Sequence, residues 1–275
     1  MYKIKILFTL IVFFMFARVS ISQVTVAPVS VHISDLNKNG YIVIRNNSST
    51  IPWEVSIEMK YGFPKSDSSG NTFIYFPDAV APEDPSAVGW VSFFPRKFVL
   101  KPFEEQTVRI AAKPPKDIRE GEYWGRPIIK SRAQNLIDTS GNEQISVGLS
   151  VEFHTVIALN FRKGNVNTGV EINNVNVAYD SNKVILFAEL KRTGNSAFLG
   201  NIEARIMSKA GEILREEKYE ISVYYDLYKR IEIETKGLQK GFYTVEIELN
   251  TDREESGGKI LKFNPVVRKA LVEVK

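Results

Sequence analysis

The 275-residue chain has no cysteine and only two histidines, His32 and His154. Without thiols there is no disulfide, thiolate zinc site, iron–sulfur cluster or cysteine nucleophile. Two histidines cannot build a multi-histidine metal centre, and they leave little for a catalytic base. Gly-x-Ser-x-Gly, His-Glu-x-x-His, a Walker loop and a dinucleotide fingerprint are all missing. Charge of one sign is also nearly missing. Lys and Arg number 36 against 32 Asp and Glu, and three of those bases (Lys3, Lys5, Arg18) fall in the first 22 residues, which hold no acid. The remainder is close to neutral, so nothing points to nucleic acid. No enzyme chemistry, cofactor or metal is expected. What is present is a globular composition, 44% apolar, 25% charged and 11% aromatic.

Met1 to Ser22 begins with Lys3 and Lys5 and continues as an almost wholly apolar run from Ile6 to Ala17. Ser20 and Ser22 supply small residues at the −3 and −1 positions of a cut before Gln23. This is the pattern of a secretory signal peptide, residues 1–22. The apolar run is about a dozen residues, short of the roughly 20 that a membrane-spanning helix needs. The expectation is a periplasmic protein that does not span the membrane once the signal peptide is removed.

Beyond it, nearly every segment alternates with period two, and long helical periodicity is almost absent. Strands are predicted at Val24–Ile33, Tyr41–Arg45, Trp53–Tyr61, Thr72–Phe76, Trp90–Phe94, Gln106–Ala111, Tyr123–Ser131 and Ile145–Phe161. Between them lie turns such as Asn37-Lys38-Asn39-Gly40 and Ser66-Asp67-Ser68-Ser69-Gly70. Seven or eight short strands in about 140 residues predict an antiparallel sandwich. The polar stretch Arg162–Gly169 reads as a linker. A second series follows at Val170–Tyr179, Lys183–Leu190, Asn201–Met207, Tyr219–Tyr224, Tyr228–Glu234, Phe242–Leu249 and Val267–Val274. There, Leu238-x-x-Gly241-x-Tyr243 has the form of the tyrosine corner of immunoglobulin and fibronectin type III sandwiches. The predicted fold is all-β, two immunoglobulin-like sandwiches in tandem, residues 23–163 and 164–275.

Few residues carry a chemical signal. Asp35-x-Asn37-x-Asn39-Gly40 matches the first half of a calcium loop, but its twelfth position is Asn46 where a bidentate acid is needed, so a hairpin turn is expected. Glu216-Glu217 and Asp252-x-Glu254-Glu255 sit in polar, turn-like sequence and read as solvated surface. The last predicted strand of the first sandwich is more informative. Its odd positions from Ile145 to Phe161 are apolar in eight of nine cases, and positions 146 to 154 between them read Ser, Gly, Ser, Glu, His. Taken alone, the pattern fits a half-buried strand covering its own core.

Three segments resemble the PapD-like periplasmic pilus (fimbrial) assembly chaperones. They are Trp90–Ile110, a strand followed by Pro95 and then Phe98-x-Leu100-x-Pro102-x-x-x-Gln106-x-Val108-Arg109-Ile110; Glu120-Gly-Glu-Tyr-Trp-Gly-Arg126; and Ile145–Arg162. Asn46–Glu54 is loosely similar as well. The likeness covers roughly Val24 to Lys163, and the second sandwich matches only in class and position. It implies that Val147, Leu149, Val151 and Phe153 form a client-binding strand. Such a strand completes an unfinished subunit sandwich by β-augmentation. Four such side chains would contribute about 6–12 kcal/mol of gross burial, reduced by ordering and rigid-body costs. It also implies an arginine and a lysine that clamp the client's terminal carboxylate. The matching positions here are Ser30 and Ala158, which carry no charge. Arg162 matches the family's basic hinge residue and is expected in an interdomain ion pair. The stretch Gly62–Ala87 looks like an insertion: a lid, an extra hairpin or a partner loop.

The resemblance implies an ATP-independent periplasmic chaperone that binds and assembles surface-fibre or exported β-sandwich subunits by donor-strand complementation. Its partners would be those subunits and an outer-membrane usher. The missing clamp keeps an alternative open, a structural or adhesive two-sandwich component of a cell-envelope assembly.

Overall fold

The computed structural model describes residues 24–134, 151–253 and 260–275. They form nineteen strands and no helix. The all-β expectation holds, and two sandwiches follow one another along the chain.

In the first, one sheet has the order β1 (Val24–Ala27), β3 (Asn39–Asn46), β9 (Glu105–Ala112), β7 (Val91–Phe94). The other has the order β2 (Ser30–Ser34), β12 (Ala158–Lys163), β10 (Gly121–Ala133), β4 (Trp53–Lys60), β8 (Lys97–Leu100), with β11 (Glu152–Val156) also paired to β10. Period-two alternation decides which side chains face inward. Ile42, Ile44, Val108 and Ile110 from one sheet meet Val55, Ile57, Ile129, Leu159 and Phe161 from the other, and all are buried. Between β4 and β7 the chain forms the hairpin β5 (Phe63–Ser66) and β6 (Thr72–Tyr75). The insertion-like stretch is therefore in part an extra hairpin. Its Ser66 Oγ accepts the Tyr228 amide at 3.1 Å. Gly70, with φ +81°, comes so close to Arg230 that a Cβ would lie 2.7 Å from that residue's backbone nitrogen.

The second sandwich packs β13 (Val170–Asp180), β14 (Lys183–Arg192) and β17 (Asp226–Glu234) over β16 (Ile213–Val223), β15 (Phe198–Met207), β18 (Gly241–Asn250) and β19 (Val266–Val274). Its core joins Val184, Leu186 and Ile231 to Ile202, Ile206, Val245 and Ile247. The Tyr243 hydroxyl donates to the Gln239 carbonyl at 2.7 Å, as a tyrosine corner requires. The first sandwich repeats the device: Ile118-x-x-Gly121-x-Tyr123 places the Tyr123 hydroxyl 2.9 Å from the Arg119 carbonyl.

Five sequence expectations need correction. Val24–Ile33 is two strands in two sheets, because Pro28 has no N–H to continue the ladder and the chain crosses over there. Within the described residues, Ile145–Phe161 is also two strands, β11 and β12, parted at Ile157. Arg162 and Lys163 close β12 rather than opening a linker. Glu216 and Glu217 stand on β16, where Glu216 accepts a 2.6 Å hydrogen bond from Arg205. The Asp35–Gly40 segment does turn, with Ser34 N bonded to Asn37 O at 3.0 Å, but it carries the chain from β2 to β3 in the opposite sheet and so is not the expected hairpin turn. His32 and His154 lie on β2 and β11, and no cluster suited to a metal occurs among the described residues.

Candidate functional site

The outward face of the β2–β12–β10 sheet is divided in two. On the stretch where β10 pairs with β12, the face carries Glu122, Trp124 and Arg126 beside Arg162, Asn160 and Ala158. The second sandwich covers this half. Glu122, its carboxylate fully buried, accepts Arg162 Nε at 2.9 Å, Ser196 Oγ at 2.8 Å and Ala197 N at 3.1 Å. Trp124 packs edge-on against Tyr224 and Tyr225. The Tyr224 hydroxyl donates to Asn160 Oδ1 at 3.2 Å, and Tyr61 and Tyr225 share a hydroxyl–hydroxyl bond of 2.6 Å. Burial holds the Tyr61, Tyr224 and Tyr225 hydroxyls above the ordinary tyrosine range. Arg162 thus belongs to the joint. Its ionic partner Glu122 lies in its own sandwich, and Glu122 in turn reaches the second through Ser196 and Ala197.

The other half of the face, beside β11, carries no second sandwich. Here β10 lies between β4 and β11, while the far edge of β11 has no hydrogen-bonded strand among the described residues. Phe153 pairs with Ser131 and, through it, with Val55, so it stands on the core-facing side of the sheet. It is nevertheless 52% exposed, and Val151 is 48% exposed. A residue that faces the core and still meets solvent marks a corner the sandwich does not close. Among the described residues, only Trp53 touches Phe153 as a ring, at 5.7 Å. Further along the same alternation, Ile157, Leu159 and Phe161 are buried. The apolar series of the last strand therefore seals its own core from Ile157 onward and stands open at Val151 and Phe153. Val147 and Leu149 lie outside the described residues.

The positions matching the missing clamp are brought together: Ser30 and Ala158 are direct partners in the parallel β2–β12 pair. With Gly125 opposite Leu159 and Ile128 opposite Val156, Arg126 falls opposite Ala158. Arg126 is 5% exposed, donates from Nε to the Gly62 carbonyl at 3.1 Å and lies 4.9 Å above the Tyr224 ring. No carboxylate pairs with it among the described residues. The sequence reading passed over Arg126 because a residue two strands from the first clamp position comes into line only through the sheet register.

No family model matches the chain, and no curated protein does. Solved structures do. The class 5 fimbrial chaperone CfaA is 15% identical with a TM-score of 0.45, covering 90% of this chain and 98% of that one. A chain from the Salmonella enterica SafA pilin in complex with the SafB chaperone is 14% identical with a TM-score of 0.43, covering 91% and 98%. The E. coli chaperone DraB is 14% identical with a TM-score of 0.40, covering 92% and 95%. What the edge of this chain can do follows from its own residues.

Proposed function

We propose that the protein is a non-catalytic periplasmic chaperone that holds fibre or exported β-sandwich subunits by adding β11 and the residues before it to the client's sheet. The observation that carries the proposal is Phe153, half-exposed on the core side of a strand whose outer edge pairs with no strand among the described residues. Such an edge supplies backbone donors and acceptors to a client strand, and Val151 and Phe153 supply apolar surface to the client's unfinished core. Fully covering the exposed half of these two side chains contributes on the order of 2 kcal/mol, half of what complete burial would give. Val147 and Leu149 extend the same series in sequence. We assign residues 23–163 and 164–275 to the two domains and residues 1–22 to a cleaved signal peptide.

The test is co-purification of exported proteins with the wild type and with a Val151→Asp/Phe153→Asp variant. The expected result is loss of the co-purifying β-sandwich subunits from a variant that melts like the wild type. Equal recovery would refute strand donation. The uncharged pair Ser30 and Ala158 favours a second reading, a structural component of an envelope assembly; stable co-fractionation with a large envelope complex would support it.

A further inference from the structure

The outward side of β11 carries a charge pattern that stops at the open edge. Glu54, Arg132 and Glu152 stand in one register row across β4, β10 and β11. Arg132 donates to Glu54 Oε2 at 2.6 Å. In the adjoining rows, Lys130 pairs with Glu58 at 2.9 Å, and that contact holds the Glu58 carboxyl below its ordinary range. Lys130 and Arg132 are thus bound towards β4, away from the open edge. Glu152, at the end of its row and 45% exposed at the side chain, has a close partner on its own strand, His154 Nε2, 2.5 Å away. A groove of about 480 Å³ crosses this face, lined by Glu54, Ser56, Lys97, Val99, Arg132 and Glu152.

We infer that Glu152 selects the strand that pairs with β11, and that the partner strand carries a lysine or arginine between two apolar residues. This rests on the strand-addition reading above. The row already alternates acid, base, acid, and a strand added at the open edge places its next residue directly beside Glu152, within about 5.5 Å at Cβ. Its neighbours on either side point the other way, toward Val151 and Phe153, and so must be apolar. Beside His154 the same strand meets no fixed negative charge, which makes the Glu152 position the discriminating one. The partner chemistry is therefore an extended apolar–basic–apolar segment of another polypeptide.

The experiment uses the full mature chain and three labelled eleven-residue peptides of alternating valine and serine. The central serine is kept in one, replaced by lysine in the second and by glutamate in the third, and binding is read by fluorescence anisotropy at neutral pH and low salt. The lysine peptide should bind tighter than the serine peptide, and the serine peptide tighter than the glutamate peptide, by about twofold to fivefold per step. Glu152→Lys should reverse the order, and 0.5 M salt should compress it. Equal binding of the three peptides, or an unchanged order in Glu152→Lys, overturns the charge rule while leaving strand addition standing. Binding that survives Phe153→Asp, or no binding of any peptide, overturns strand addition and the charge rule with it. A dimer of the chain in sedimentation that the lysine peptide fails to dissociate assigns the edge to a second copy and overturns both.

Discussion

Removing the Glu122 carboxylate should release the joint between the sandwiches. The side chain is wholly buried, and its two oxygens take hydrogen bonds from Arg162 Nε, Ser196 Oγ and Ala197 N at 2.8–3.1 Å. In Glu122→Ala the guanidinium, whose side chain is only 16% exposed, loses its acid. The Ser196 hydroxyl and the Ala197 amide lose an acceptor in a place water cannot easily reach. Breaking a buried pair from one side costs about 3–5 kcal/mol, because the remaining charge loses its acid while staying largely out of water. For a chain of this size each kcal/mol is about 2–4 °C, so calorimetry should show a fall on the order of 10 °C. Glu122→Ala/Arg162→Met should recover part of that loss, since no orphan charge remains. Loss of the joint should also split one calorimetric transition into two, as each sandwich keeps its own core. A Glu122→Ala protein that melts within a degree of the wild type in a single transition would refute this account of the joint.

Two further outcomes follow. The second sandwich should weaken in acid. Contact with Lys269 holds the Glu246 carboxyl below its ordinary value, and Lys218 and Asn250 hold Glu203 below it against the opposing effect of burial. A carboxyl lowered by folding contributes stability that is complete above the unfolded value of about 4.3 and disappears as pH falls through the lower folded value. Melting temperature should therefore drop on acidification below about pH 4.5, and a Lys269→Met/Lys218→Met variant should show a shallower drop. The apolar series from Val151 to Phe161 should also separate into two kinds of residue. Leu159→Ala should cost about 2–5 kcal/mol in urea unfolding because it empties a filled core. Phe153→Ala should cost less than about 1.5 kcal/mol yet abolish client capture. Equal destabilisation by the two would mean Phe153 belongs to the core after all.

Much of the architecture was readable from residue order. Period-two alternation located most of the strands, because each strand of a sandwich must turn every second side chain to the core. The corner Leu238-x-x-Gly241-x-Tyr243 was visible as a motif, and its counterpart Ile118-x-x-Gly121-x-Tyr123, of the same form, was overlooked. Strand ends were less legible. The break at Pro28 follows from a missing amide, but the break at Ile157 has no such residue to announce it. Of the hairpin β5–β6, Thr72–Phe76 was legible as a strand, while Phe63–Ser66 was obscured by Pro64 and the polar turn after it.

By itself, the order of residues determined that the chain folds as sheets, that its cores need no disulfide, and that an alternating apolar series closes the first sandwich. Those are local properties, set by side-chain period and by which residues can turn. Tertiary structure alone decided which part of that series is sealed and which is offered. Ile157, Leu159 and Phe161 lie under the opposite sheet, while Val151 and Phe153 stay about half-exposed. It also decided that Arg126 joins the row of Ser30 and Ala158, and that Glu122 reaches Ser196 across the joint. Contacts between residues far apart in the chain depend on register and on the angle between two sheets, and neither is written in the alternation of a single strand.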